Sequence, residues 1–386
     1  MSIPEELPID IVNEGQNSII KVMGVGGGGG NAVNYMYEKG IHGVSFLVCN
    51  TDKQVLDKSR IPHKLQLGES GLGAGGNPEV SKRLAEESEE LIKQAFDDGT
   101  KMVFITAGMG GGTGTGAAPV VARIAREMDI LTVGIVTIPF KFEGPDKIRI
   151  AMTGVKEIAD NVDALLVINN ERLIDMYGEL DLQEGFRKAD DVLANAAKSI
   201  AEIITIPGYI NTDFADVYNT LKDGHIAIMN VGEAEGDSRI TKALDNALES
   251  PLANNADVRG ASRILMQINC KSMKSSELNQ IQEFTKRIGN SVNVRWGVTF
   301  DESLGEKVRV ILVATGYDLE QLPGIIPTDE TEIDKAAQQA YTKDINKREP
   351  FRPTRTEGKQ SPIIDIDELD NEDPDEIPAY LRKKNR

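Results

Sequence analysis

At 386 residues and a formal net charge of −18, the chain is long enough for two folded domains and too acidic to present a nucleic-acid-binding surface. No apolar run approaches the roughly 18 residues of a membrane span, which argues against direct membrane insertion. Its two cysteines, Cys49 and Cys270, each fall in an apolar run and read as buried thiols, and its three histidines, His42, His63 and His225, lie far apart and offer no metal site.

Residues 1–17 read as a flexible acidic arm without an apolar signal segment, so export is not expected. Ser18–Val25 reads as a strand, Gly26–Gly30 as a tight glycine loop, Asn31–Lys39 as a helix and Val44–Cys49 as a second strand. This unit implies parallel strands joined by a right-handed crossover. A further glycine loop, Gly71-Leu72-Gly73-Ala74-Gly75-Gly76-Asn77-Pro78, ends in a capping asparagine and a first-turn proline. The helix it opens extends to about Phe96. Met102–Ala107 reads as a buried strand, followed by Gly108-Met109-Gly110-Gly111-Gly112-Thr113-Gly114-Thr115-Gly116 and a helix from Ala117 to Met128. Leu131–Ile138 and Ala164–Ile168 are further strands. The alternation predicts an α/β fold whose N-terminal domain, 18–181, is a doubly wound parallel sheet.

Leu182, Phe186, Ala189, Leu193, Ala197, Ile200 and Ile204 recur with helical spacing over roughly six turns, about 35 Å. They predict a long central helix within 182–206, ended by Pro207-Gly208. Beyond it, His225–Val231, Arg263–Cys270, Val292–Val298 and Val308–Ala314 read as strands, with helices over 238–249 and 275–289. They predict a smaller C-terminal α/β domain, 207–318, with a sheet of its own. Residues 319–362 are polar and proline-containing and read as a disordered linker. In 363–386, the apolar island Ile377-Pro378-Ala379-Tyr380-Leu381 between charged segments reads as a docking peptide.

The glycine loops carry the chemistry. The run 108–116 sits between a strand and a helix, where glycines let backbone N–H groups converge and the helix start adds positive dipole. That combination is a phosphate cradle. Gly24-x-Gly26-x-x-Gly29 also matches the dinucleotide fingerprint, with Asp52 near the offset of a ribose-binding acid. Taken alone, this suggests a nicotinamide or flavin enzyme. A dinucleotide needs only one such loop, however, and no catalytic His or Tyr-Lys arrangement follows. No Walker lysine is present either. Three glycine loops without that lysine suggest a triphosphate held by backbone dipoles and a metal ion. In Asn211-Thr212-Asp213-Phe214-Ala215-Asp216, the two acids share a helix face. They read as capping and surface charge or, with a phosphate nearby, as carboxylates that polarise a water directly or through Mg²⁺. Lying beyond the long helix, they reach a phosphate only on a neighbouring subunit.

Residues 110–116 and 211–216 resemble signature motifs of the tubulin/FtsZ superfamily. Gly71–Pro78, Pro139-Phe140-x-Phe142-Glu143-Gly144 and Ile377–Leu381 narrow the resemblance to its bacterial cell-division GTPases, from about Ile19 to Tyr317 and again in the tail. The resemblance implies GTP/GDP as ligand with Mg²⁺, and no metal site made by the protein alone. It implies that Gly26, Gly27, Gly28, Gly29 and Asn31 hold the α- and β-phosphates, and that Ala74, Gly75, Gly76 and Asn77 approach the γ-phosphate. Gly110, Gly111, Gly112, Thr113, Gly114 and Thr115 would cradle the phosphates, Glu143 would take the ribose, and Asn170 and Asp190 would read guanine. A carboxylate at 190 makes chemical sense, because it accepts from guanine's ring imide and exocyclic amine. Phe186 would stack on the base or pack in the helix core. Lys147 stands where the family usually has arginine, keeping the charge but losing the planar fork. A scaffold that assembles but hydrolyses poorly therefore stays open. Asn211, Asp213 and Asp216 would act in trans, giving head-to-tail filaments of this chain. The implied setting is cytoplasmic, at the midcell division site, with membrane adaptors and regulatory division proteins bound through the C-terminal tail.

Overall fold

The computed structural model describes residues 18–41, 43–171, 173–174, 181–206, 208–210, 212–249, 258–289 and 291–317. Ile20–Val25 (β1) is buried along its whole length, as the middle of a parallel sheet covered on both faces requires. Its one charged residue, Lys21, is accommodated because Nζ donates to the Ala95 carbonyl and, at 2.7 Å, to Asp98. From β1 the chain runs through Gly26–Glu38 (α1), Ser45–Asn50 (β2), Lys53–Lys58 (α2) and His63–Gln66 (β3). Then come Pro78–Glu87 (α3), Glu89–Phe96 (α4), Met102–Gly108 (β4), Thr113–Glu127 (α5), Leu131–Ile138 (β5), Pro145–Ala159 (α6) and Ala164–Asn169 (β6). Leu182–Thr205 (α7) and Phe214–Leu221 (α8) lead to His225–Ala234 (β7), Arg239–Leu248 (α9), Arg263–Cys270 (β8), Leu278–Ile288 (α10), Asn293–Phe300 (β9) and Val308–Tyr317 (β10).

Strands β1 to β6 are all parallel, in the order β3-β2-β1-β4-β5-β6, the order of doubly wound nucleotide-binding sheets. Alternate residues of each strand feed two cores. Val22, Phe46, Val48, Phe104 and Val133 pack with α1 and α7 on one face. Met23, Leu47, Val103, Ile105 and Val136 pack with α5 and α6 on the other. Cys49 and Cys270 are free buried thiols, and burial pushes both thiol pKa values up. Among the described residues, no helix is long and apolar enough to cross a membrane.

The C-terminal strands do not form a separate sheet, contrary to the sequence expectation. The order continues β7-β10-β8-β9, with β10 antiparallel to both neighbours. The join is short: Ala164↔His225, Leu165↔Ile226 and Leu166↔Ala227. Asp163 makes it. Its carbonyl accepts from the N–H groups of Gly224 (2.7 Å) and His225 (3.0 Å). Its fully buried carboxylate accepts from Thr132 N–H at 2.9 Å and pairs with Lys222 Nζ at 3.1 Å. The expected helix over 78–96 is interrupted at Ser88, whose hydroxyl donates to Leu84 O (2.8 Å) and accepts from Gly68 N–H (2.9 Å). The linker and tail, 319–386, lie outside the described residues, as does the arm 1–17.

Candidate functional site

Gly26–Gly30 was expected as a loop, but it forms the first turn of α1. Gly26 takes φ +74° and turns the chain directly from strand to helix. The glycines that follow allow contact no side chain would permit. A Cβ on Gly29 would overlap the carbonyl oxygen of Thr106 in β4, and one on Gly28 would lie 3.2 Å from Gly108 Cα. The start of α1 is thus pressed onto the end of β4. Helix α5 likewise begins inside the second glycine run, at Thr113. The loop 71–77 closes the third side. Lys53 N–H donates to Gly71 O (3.0 Å) and Gly73 N–H to Thr51 O (2.9 Å). At the far end of the loop, a Cβ on Gly112 would meet Asn77 N at 3.0 Å. All three loops therefore converge at the C-terminal edge of the parallel strands. Gly27, Gly28, Asn31, Gly75, Gly76, Asn77 and Gly111 are exposed there, while Ala74, Gly110, Gly112, Gly114 and Thr115 are buried.

The polar side chains in this cradle mostly brace it. Thr115 Oγ1 accepts from Gly110 N–H at 3.0 Å, Thr113 and Thr51 hydroxyls lie 2.8 Å apart, and Asn77 Oδ1 caps α3 through Glu79 N–H at 3.0 Å. Ser81 Oγ lies 2.8 Å from Gly112 O. Asp52 Oδ1 caps α2, accepting from Gln54 N–H at 2.8 Å and Val55 N–H at 3.3 Å. That oxygen is occupied in a way the ribose acid of a dinucleotide site would not be. What remains for a ligand is a concave run of backbone N–H groups and two helix N-termini, which suits an oligophosphate.

A second half-site lies along the same edge, at the ends of β5 and β6. Asn170 N–H donates to Ile138 O at 3.2 Å, and its side-chain Oδ1 is buried without a hydrogen-bond partner. On α7, Asp190 has no donor facing it among the described residues. Burial, and secondarily the charge of Asp191, push its carboxyl up to about 7. Asp191 itself is held by the Tyr35 hydroxyl of α1. Two desolvated acceptors without donors call for a ligand that carries donors. Beside them, Phe186 is 41% exposed in a trio of rings, with centroids 5.4 Å from Phe140 and 6.4 Å from Phe142. Phe140 and Phe142 stack at 5.0 Å. The Phe186 face is therefore partly open, and a planar base has a ring to lie on. Glu143 Oε1 accepts from Phe140 N–H at 3.0 Å, while Lys147 Nζ lies 3.2 Å from Oε2. Lys147 also reaches the cradle through its backbone, since a Cβ on Gly110 would stand 2.8 Å from Lys147 O.

The carboxylate loop stands elsewhere. Helix α7 starts beside the rings, with Gly185 against Phe140, and ends where Thr205 packs on Gly43, just before β2. Its 24 residues span about 36 Å, so the loop lies at the opposite edge of the sheet. There Asp213 caps α8, its Oδ1 accepting from Asp216 N–H at 3.0 Å. Its second oxygen has no partner among the described residues. Asp216 Oδ1 is 3.5 Å from Arg295 Nη1. Asn211 lies outside the described residues. Sequence reading passed over Thr51, Ser81 and Arg295. The first two follow or precede motif residues and were discoverable by position, whereas Arg295 sits in a strand with no motif around it.

With this geometry in place, the comparisons are specific. The model of the Tubulin/FtsZ family GTPase domain matches residues 19–178, and that of the FtsZ family C-terminal domain matches residues 225–318. The cell division protein FtsZ of Porphyromonas gingivalis is 49% identical over 98% of this chain and 88% of its own length. That of Pseudomonas aeruginosa is 40% identical over 96% and 98%. Among solved structures, an empty FtsZ dimer from M. jannaschii matches with a TM-score of 0.71 at 39% identity, covering 78% of this chain and 88% of that one.

Proposed function

The chain belongs to the FtsZ family of tubulin-like cell-division GTPases, and from that membership we propose that its active site is completed by a second copy of itself. It is a GTPase. In our reading, the three glycine loops hold the triphosphate, Asp190 and Asn170 pair with guanine, Phe186 stacks on the base and Glu143 takes the ribose. The next subunit then presents Asp213 and Asp216 from its opposite edge, with Asn211 in the same loop. Those carboxylates orient a water toward the terminal phosphate and accept its proton.

One observation supports this above all: α7, about 36 Å long by helix rise, starts beside the rings on the cradle's edge of the sheet and ends at the opposite edge, where the carboxylates lie. One chain cannot close that distance, and head-to-tail stacking can. A heterologous contact of this kind builds filaments. Exposed apolar groups at both edges support it, with Leu72 87% exposed beside the cradle and Tyr209 79% exposed beside the carboxylate loop. Among the described residues no group of three or more His, Cys, Asp or Glu could hold a metal ion. Mg²⁺, where bound with the nucleotide, would be held by phosphate oxygens and waters and would neutralise developing charge. We further propose that the filaments form the midcell division ring in the cytoplasm. The tail, Asp375 to Lys384, would bind membrane adaptors and regulators.

Mixing two defective chains tests the composite site. In Gly29→Ala, the added methyl collides with Thr106 O and should abolish GTP binding while leaving the carboxylate edge intact. An Asp213→Asn chain keeps its cradle. Each alone should release little phosphate, and the mixture should recover a substantial fraction of wild-type turnover. No recovery, with both chains shown folded and associating, would contradict the proposal.

Asp190 predicts a pH dependence. Its folded pKa is raised from 3.8 to about 7, so in the empty protein the proton is bound more tightly than in the unfolded chain. Stability of the empty protein should fall as pH rises from about 4 to 7. Guanine donors favour the ionised carboxylate, so GTP affinity should do the reverse. It should be flat above pH 7 and weaken by up to tenfold per pH unit below it. Titration calorimetry from pH 5.5 to 8 checks the slope, which Asp190→Ala should remove.

A further inference from the structure

The cation nearest the carboxylate loop belongs to no motif. Arg295 lies on β9, the last strand of the sheet, with its side chain 54% exposed and Nη1 3.5 Å from Asp216 Oδ1. Among the described residues this ion pair is not accompanied by a hydrogen bond from the guanidinium, which carries five N–H donors. The pairing is not an accident of a loose side chain, because the loop is bonded to the same strand. Tyr209 and Ile210 N–H groups donate to Val298 O at 2.8 and 3.2 Å, and Val298 N–H returns a bond to Ile210 O at 3.0 Å. Gly297 makes room: a Cβ there would overlap Thr212 Oγ1 and stand 2.7 Å from Gln267 Oε1. The other cations around α8 are engaged elsewhere. Lys222 pairs with the buried Asp163, and Arg263 donates to the carbonyls of Asn219, Lys222 and Asp223 at the far end of the helix.

A junction that brings Asp213 and Asp216 up to a triphosphate confronts anion with anion, and the repulsion grows as water is excluded. Resting on the composite-site reading, we propose that Arg295 is a positioning residue for hydrolysis. It holds the Asp216 carboxylate in place, and it offsets the carboxylate–phosphate repulsion as the next subunit docks. An exposed pair of this length adds little to folding, so the effect belongs to the reaction.

The test is a double-mutant cycle on full-length chain, reading kcat for phosphate release at saturating GTP and at protein concentrations well above the assembly threshold. Arg295→Ala should lower kcat about tenfold, and in an Asp216→Asn background the same change should cost less than about twofold. Arg295→Lys should keep most of the activity, whereas Arg295→Gln should behave as the alanine variant. Raising ionic strength should narrow the Arg295→Ala deficit relative to wild type, because salt screens the repulsion. A merely structural role would produce neither the salt rescue nor the non-additivity. Wild-type kcat in Arg295→Ala, or an equal loss in both backgrounds, would overturn the proposal. If the wild type keeps a concentration threshold while the cycle is additive, Arg295 alone is refuted. If the threshold is absent, the composite site itself fails.

Discussion

Asp213→Ala is expected to bind GTP with wild-type affinity and still assemble, yet to hydrolyse it about 10²-fold more slowly or worse, the usual cost of losing a positioned general base. The structure complicates a naive reading of that result, because Asp213 also caps α8 through Asp216 N–H. Losing a cap costs about 1 kcal/mol and could loosen the helix that carries Asp216. Asparagine separates the two roles. It caps a helix about as well as aspartate, but it accepts no proton from water near neutral pH. Asp213→Asn should therefore match the wild type in thermal stability and match Asp213→Ala in turnover. Single-turnover hydrolysis inside preassembled filaments, with melting curves of each variant, distinguishes the cases. If Asp213→Asn hydrolyses like the wild type, the residue is only a cap.

The second large effect concerns the base. Asp190 is a desolvated carboxylate with no donor among the described residues, and Asn170 Oδ1 is a buried acceptor in the same condition. Guanine supplies two adjacent N–H donors to a carboxylate. Each charge-assisted bond contributes about 1.5–3 kcal/mol, so Asp190→Asn should weaken GTP binding by about 10²-fold or more. Xanthine carries a carbonyl where guanine carries its amine, and the new amide can donate to it. The variant should then prefer xanthosine triphosphate over GTP, in competition against a fluorescent nucleotide. Unchanged GTP affinity in a folded Asp190→Asn chain would remove Asp190 from base recognition.

The sequence exposed the cradle because glycine spacing is a direct record of backbone need. At Gly26, Gly29 and Gly112 a side chain would strike the backbone of a neighbouring segment, so the pattern of glycines maps the contacts themselves. What it concealed was where loop ends and helix begins. Glycine is a poor helix former in isolation, yet Gly26–Gly30 are helical because α1 lies pressed against β4. The long helix showed plainly through its periodicity, since Leu193, Ala197, Ile200 and their neighbours form a continuous packed face. The joining of the C-terminal strands to the main sheet was hidden for a different reason. It depends on a three-residue register and on Asp163, whose carbonyl and carboxylate gather groups from β5, from Lys222 and Gly224 just after α8, and from β7. No local pattern announces a long-range pairing of that kind. Arg295 was hidden in the same way, since an exposed charge alternating along a strand reads as ordinary solvent surface. The proposed base site was only half visible: Asp190 entered through resemblance, and its raised pKa needs the burial that tertiary packing supplies.

The most direct measurement is phosphate release per chain as a function of total protein concentration, at saturating GTP, across the range where sedimentation shows the chain passing from monomer to polymer. Turnover per chain should be close to zero among monomers and rise steeply once assembly begins, because an isolated subunit keeps its acids at the wrong end of α7. Equal turnover per chain in dilute monomer and in polymer would show that a single molecule suffices.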